Sequence, residues 1–245
     1  VTQFAKVSEH WENCHLTLNI DLWTWNLDHP LNAVNCVMTS DEQTRAARFV
    51  QQIHQDRFAN GRNRLRHILA GYLDKPPQDL QFSYGANGKP ELAGLLRFNL
   101  SHSENHAALA VVNSLDNDAE IGLDIQQYRP VEADVAKRFF STTEQAELAQ
   151  LPSAQWNDGF YRCWTRKEAI VKALGTGLTL ELDSFDVTLT PHAPVRLTRF
   201  ATDPTITNAL SLHHFDLAPD LVGAIAVFSH GRPVKITHRR LPVEK

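Results

Sequence analysis

The chain is 245 residues long, 42% hydrophobic and 21% charged, with a formal net charge of -4. That composition can bury a core and excludes intrinsic disorder, and its acidic balance offers no general surface for nucleic acid, so any phosphate site has to be built locally. Cys14, Cys36 and Cys163 are odd in number and far apart, which fits neither a disulfide framework nor a CxxC metal site. The stretch from Val1 to Glu12 lacks the apolar core of a signal peptide, and no apolar run approaches membrane-spanning length. A cytoplasmic monomer with no membrane and no nucleic acid among its partners is expected.

In chain order, a strand is predicted from Leu16 to Leu27, followed by a helix start at Ser40-Asp41-Glu42-Gln43 with the Ser-x-x-Gln spacing of a capping box. From Phe58 to Leu73 the residues Leu65, Ile68, Leu69 and Tyr72 recur at helical spacing. Gly85, Gly88 and Pro90 break that pattern, and Ala107 to Val112 reads as a buried strand. The same order then returns: a strand from Glu120 to Ile125, a capping box at Ser141 and Glu144, a helix near Phe160 to Leu174, and strands at Phe185 to Leu189 and Leu221 to Phe228. Even local text repeats, with Ala-Leu-Ala-Val-Val in the first half and Ala-Ile-Ala-Val-Phe in the second. The expected fold class is α+β, a pseudo-two-fold pair of similar lobes spanning 1–116 and 117–245, with a site at their junction. The polar stretch from Asn113 to Ala119 marks the boundary; a simple hairpin inside one domain is the alternative reading.

Three clusters carry residues suited to chemistry. In Phe98-Asn-Leu-Ser-His-Ser103 a strand end presents Ser101, His102 and Ser103, able to donate to a phosphate, although a serine-rich turn with a surface histidine would look the same. In Glu120-Ile-Gly-Leu-Asp124-Ile-Gln126, strand alternation puts Asp124 and Gln126 on one face beside Gly122, as two oxygen ligands for a hard cation or as an edge facing water. In Trp164-Thr-Arg-Lys167-Glu168-Ala-Ile-Val-Lys172, Glu168 and Lys172 share a helix face, with Lys167 about 100° to the side. A solvated ion pair is the bland reading, but Trp164, Ile170, Val171 and Leu174 surround these charges, and Gly175 and Gly177 supply a helix stop. Carboxylates for a cation together with cations for phosphate oxygens are equipment for phosphoryl transfer, while no Walker loop or kinase-type glycine-rich loop is present.

In Gly122-Leu-Asp124, in the Trp-x-x-Lys-Glu-x-x-x-Lys motif from Trp164 to Lys172, and in the upstream Gly88-Lys89-Pro90 and Asn99-Leu-Ser101-His102, the chain resembles the Sfp-type 4'-phosphopantetheinyl transferases. The resemblance runs from about Thr39 to Phe228. It implies transfer of the 4'-phosphopantetheine group of coenzyme A to a serine of an apo acyl carrier protein or peptidyl carrier domain, with release of 3',5'-ADP. It also implies Mg2+ held by Asp124 and Glu168, and Glu168 as base. Lys172 and Lys167 would contact the pyrophosphate; Ser101 and His102 would hold the pyrophosphate and the 3'-phosphate, with Lys89 and Arg62 as further cations around the nucleotide. Arg45 matches more loosely. Gln126 stands where many members carry Glu as a third acidic ligand, and an amide oxygen binds magnesium more weakly than a carboxylate. Glu144 resembles another acidic position, which its capping box explains equally well. Lys137-Arg138-Phe139-Phe140 offers a basic and apolar patch for an acidic carrier. The alternatives are a catalytically weak homologue that only binds coenzyme A or a carrier protein, and a metal-dependent hydrolase of nucleotide pyrophosphates.

Overall fold

In the computed structural model, which describes residues 17–31, 36–85, 87–94, 96–113 and 119–241, strands and helices follow one another twice in similar order. The first series is β1 (Leu18–Asn26), α1 (Ser40–Ala46), α2 (Gln52–Leu73), the short pair β2 (Phe82–Tyr84) and β3 (Pro90–Leu92), β4 (Arg97–Ser103) and β5 (His106–Val112). The second is β6 (Ile121–Gln127), α3 (Ala133–Phe139), α4 (Thr142–Gln150), α5 (Trp156–Leu174), β7 (Phe185–Val187), β8 (Leu197–Phe200), the single turn α6 (Ile206–Ala209), β9 (Leu210–Ala218) and β10 (Leu221–Phe228). A last strand, β11 (Val234–Arg239), returns to pair in parallel with β1, so the two larger sheets run β11-β1-β5-β4 and β6-β10-β9. This is the α+β class expected. The expected boundary at 116/117 lies outside the described residues, as do Cys14 and the segment from Val1 to Glu12. Among the described residues no helix is long and apolar enough to cross a membrane.

Both long helices start earlier than their apolar spacing predicts. Polar residues open α2 at Gln52, where the Gln52 amide donates to Asp56 Oδ1 across one turn (2.8 Å). Trp156 opens α5 and stacks on Phe160, also one turn on, with ring centroids 5.7 Å apart. Each helix covers one face of its sheet: Leu65, Ile68 and Leu69 of α2 pack with Trp25, Leu109 and Val111, while Ile170 and Ala173 of α5 pack with Val222, Ala224 and Ala226. The faces opposite the helices meet in a third core, where Leu18, Ile20 and Leu22 pack with Ile121, Leu123, Ile125 and Ile225. Because Ile121, Leu123 and Ile125 turn to that core, alternation sends Gly122, Asp124 and Gln126 towards α5.

The first capping box sits one residue earlier than expected. Thr39, not Ser40, is the N-cap and accepts from the Glu42 amide, while the Glu42 carboxylate takes the Thr39 N–H (3.0 Å). Glu42 is chosen over Gln43 because its carboxylate also receives one edge of the Arg66 guanidinium in two bonds, from Nε at 2.8 Å and Nη2 at 2.9 Å. The second box forms at Ser141 and Glu144 as predicted.

Candidate active site

The two sheets meet where β4 lies alongside β6, and side chains replace the missing backbone ladder. Asn99 Oδ1, Ser101 Oγ and Ser103 Oγ accept the N–H groups of Leu123, Ile125 and Gln127 at 2.7, 3.3 and 2.9 Å. Period-two spacing on both strands keeps these three bonds in step, and so fixes Asp124 opposite Ser101. Sequence reading missed the roles of Asn99 and Ser103; the available signal was a polar residue at every second position, 99, 101 and 103, which places all three on one face of the strand.

Over this junction passes α5, and Gly122 lets it come close. A Cβ at Gly122 would lie 2.0 Å from the Ala169 carbonyl oxygen and 2.4 Å from the Ala173 nitrogen, positions no side chain can share. The close approach sets Lys172 against Asp124: its ammonium donates to Asp124 Oδ1 (2.7 Å), the Leu123 carbonyl (3.0 Å) and Ser101 Oγ (3.2 Å). Ser101 in turn donates to Asp124 Oδ1 at 3.2 Å. With two bonds accepted and one donated, its hydroxyl is saturated, so it organises Asp124 and Lys172 rather than standing free for a phosphate. On the same face as Asp124, as alternation predicts, Gln126 donates its amide to Asp124 Oδ2 (3.2 Å).

Glu168 precedes Lys172 by one helical turn and lines a cleft of about 800 Å³ with Lys172, Lys89, Asn99, Arg138 and Phe139. Burial first, then the charge of Asp124, raises its carboxyl above the usual range, while Lys172 opposes the shift. A partly buried carboxylate with raised affinity for a proton, beside a second carboxylate and an ammonium, can accept a proton and can share a hard cation.

Residues 120–226 match the family model of the 4'-phosphopantetheinyl transferase superfamily. The 4'-phosphopantetheinyl transferase HetI of Nostoc sp. is 39% identical over 91% of this chain and 93% of its own length. The chain belongs to the 4'-phosphopantetheinyl transferase family. Similarity extends to Sfp of Bacillus subtilis, 29% identical over 75% of this chain and 86% of that protein, and to AcpT of Salmonella typhimurium, 43% identical over 51% and 62%.

In this transferase the expected site residues divide. Asp124, Gln126, Glu168, Lys172 and Ser101 come together, and His102 leaves β4 at an exposed position close enough for Lys172 and Asp124 to act on its charge. Lys89 reaches the edge of the same cleft, where its ammonium donates to the carbonyls of Ile121 (2.9 Å) and Lys172 (3.2 Å), tying the β2–β3 hairpin to the last turn of α5. Gly175 ends that helix in the left-handed conformation, as expected.

Lys167 is not brought to the cleft. Five residues from Lys172, it projects about 140° around the helix; it is 0% exposed and binds Glu144 at 2.7 Å. It also donates to the carbonyls of Leu182 (2.6 Å) and Phe185 (2.5 Å). That corrects its reading as a pyrophosphate contact. Arg62 belongs to a separate group beside the hairpin: it donates to the Tyr84 hydroxyl (3.1 Å), faces the rings of Phe58 and Phe82, and has Arg45 over Phe58 and Tyr84 as its neighbour. Its Nη1 is buried without a partner. In the basic patch, Phe140 is buried in the core, so Phe139, packed edge-on against Trp164, is the apolar element left beside Lys137 and Arg138.

Proposed function

We propose that the cleft at Glu168 and Lys172 moves the 4'-phosphopantetheine group of coenzyme A onto a serine of an apo acyl carrier protein or peptidyl carrier domain, with Mg2+ as the metal. The observation that carries this reading is the convergence of Asp124, Glu168 and Lys172 over Gly122 in a chain of this family. The donor set suits magnesium: two carboxylates on facing elements, and a Gln126 amide that offers its oxygen once turned over. Among the described residues no group of three or more His, Cys, Asp and Glu gathers, so Asp124 and Glu168 would hold the ion with phosphate oxygens and water completing the shell. When bound, magnesium neutralises charge on the pyrophosphate.

The chain's own residues do the rest. Glu168 takes the proton of the carrier serine, directly or through a water, as the serine oxygen forms a bond to the β-phosphorus of coenzyme A. The bond from that phosphorus to the bridging oxygen breaks, and the electron pair leaves with 3',5'-ADP. Lys172 offers its charge to the phosphate oxygens, and Arg62, with its unpartnered Nη1, is the candidate for the nucleotide end. Arg138 and Phe139 at the cleft mouth suit an acidic carrier helix.

Incubation with coenzyme A, Mg2+ and each apo carrier tests this by mass spectrometry. The carrier should gain one phosphopantetheine in the presence of magnesium and none after chelation. No gain on either carrier would leave the binding homologue standing, and release of phosphopantetheine without a carrier would indicate the hydrolase.

A further inference from the structure

Away from the cleft, the second lobe holds a cavity of about 660 Å³ that shares no lining residue with it. Arg162 and Arg166, four residues apart on α5, and His214 on β9 line it. Arg162 donates Nε to the Leu189 carbonyl (3.0 Å), and Arg166 directs Nη1 to the Thr188 carbonyl. Three buried nitrogens then have no partner among the described residues: Arg162 Nη2, Arg166 Nε and His214 Nδ1. Arg166 is only 3% exposed, and neither arginine forms an ion pair with a described carboxylate.

Two guanidiniums one helical turn apart repel each other, and burial removes the water that would screen them. Asp158 and Asp216 also line the cavity, but neither forms an ion pair with Arg162 or Arg166; Asp216 Oδ1 lies 3.4 Å from His214 Nε2 instead. What the two guanidiniums lack is an acceptor in direct contact with their unpartnered nitrogens.

We propose that this cavity binds a small molecule through an oxyanion head group, phosphate or carboxylate, gripped between Arg162 and Arg166. Phosphate and carboxylate oxygens accept charge-assisted hydrogen bonds from guanidinium N–H groups, and each arginine keeps one unpartnered donor, Arg162 Nη2 and Arg166 Nε, so the head group would be shared between the two. The volume lies in the roughly 300 to 1,000 Å³ range of small-molecule sites, so the head group leaves space for a ligand body towards Pro191 and Val195.

Calorimetric titration of the full chain with inorganic phosphate, with acetate, and with chloride at matched ionic strength tests the site. The comparison uses the unchanged chain, Arg162→Gln, Arg162→Lys and Lys172→Ala. Because Lys172→Ala removes a cation of the transfer cleft, binding that survives there and is lost in Arg162→Gln belongs to the cavity. The expected result is saturable binding of phosphate or acetate beyond chloride, weakened about tenfold or more in Arg162→Gln and less in Arg162→Lys. The anion that saturates at lower concentration identifies the head group. Absence of saturation with both anions overturns the proposal, as does affinity that falls in Lys172→Ala but holds in both Arg162 variants. Transfer activity of the Arg162 variants, measured in parallel, reports that they are folded.

Discussion

Lys167 Nζ lies 2.7 Å from Glu144 Oε2, just as Arg66 Nε lies 2.8 Å from Glu42 Oε2 in the other half of the chain. Glu42 and Glu144 are each the third helical residue and close a capping box, and each receives a cation from the long helix that follows. The repeat therefore extends beyond element order to a buried ion pair that ties a short helix to a long one. It also accounts for Lys167, whose position is set by its own half of the repeat rather than by the cleft.

Lys167→Met should leave the Glu144 charge buried without compensation and cost about 3 to 5 kcal/mol, read from urea unfolding. The folded fraction should keep its KM for coenzyme A. Adding Glu144→Gln should recover part of the stability, because the unpaired charge is then gone. A stable Lys167→Met variant with weakened coenzyme A binding would return this residue to the phosphate.

Gly122→Ala should be more damaging than its size suggests. Ordinary overpacking costs about 1 to 3 kcal/mol because side chains can move aside; here the clash is with backbone atoms of α5 at 2.0 and 2.4 Å. The helix must lift, taking Glu168 and Lys172 off Asp124, so a stability loss of at least about 3 kcal/mol should accompany loss of transfer. Near-normal turnover in this variant would mean that the close approach does not set the site.

Glu168→Gln should abolish most transfer while coenzyme A binding stays within a few-fold. A general base acts chiefly in the transition state and contributes about 10² to 10⁴ in rate. Single-turnover rates against equilibrium titration separate the two effects. Equal losses in rate and binding would make Glu168 a ground-state contact.

The pairing of Glu168 with Lys172, and of Asp124 with Gln126, was legible because helix and strand periods fix which side chains share a face. The same arithmetic argued against Lys167 at the cleft, and resemblance carried it there. Residues whose partners are distant in sequence were not legible: Asn99, Ser101 and Ser103 serve as a ladder for β6 only because two sheets meet there. Nor could alternation along β11 say that it would return to β1, since parallel pairing with the first strand is a property of topology.

His214 should make stability depend on pH. Its folded pKa of about 4 lies below the ordinary imidazole value, chiefly through burial and Arg166, with Asp216 opposing. The unfolded chain therefore binds the proton first as pH falls, so stability is fully present above about 6.5 and drains away down to about 4. The window is worth about 3 kcal/mol, and His213, shifted down by burial, acts in the same direction. Urea unfolding across this range, in buffers free of phosphate and carboxylate, should show a shallower pH dependence for His214→Gln. Parallel curves for the two proteins would show that the loss arises elsewhere.

His102 is expected to read the 3'-phosphate of coenzyme A, so His102→Ala should weaken coenzyme A far more than 3'-dephospho-coenzyme A. In the free protein, the surrounding protein bulk and then the Lys172 charge lower its pKa, with Asp124 opposing, so the ring favours its neutral form near neutrality. A phosphate beside it would reverse that balance and favour the imidazolium, which can donate from both nitrogens. A charge-assisted bond of that kind is worth about 1.5 to 3 kcal/mol, or a tenfold to hundredfold loss on removal. The dephospho form lacks the acceptor, so the same substitution should cost it little, and the double difference isolates the contact from any change in the strand. If His102 only shapes β4 beside Ser101, both ligands weaken equally. Calorimetric titration of both proteins with both ligands measures the four corners, and equal losses would remove His102 from the phosphate.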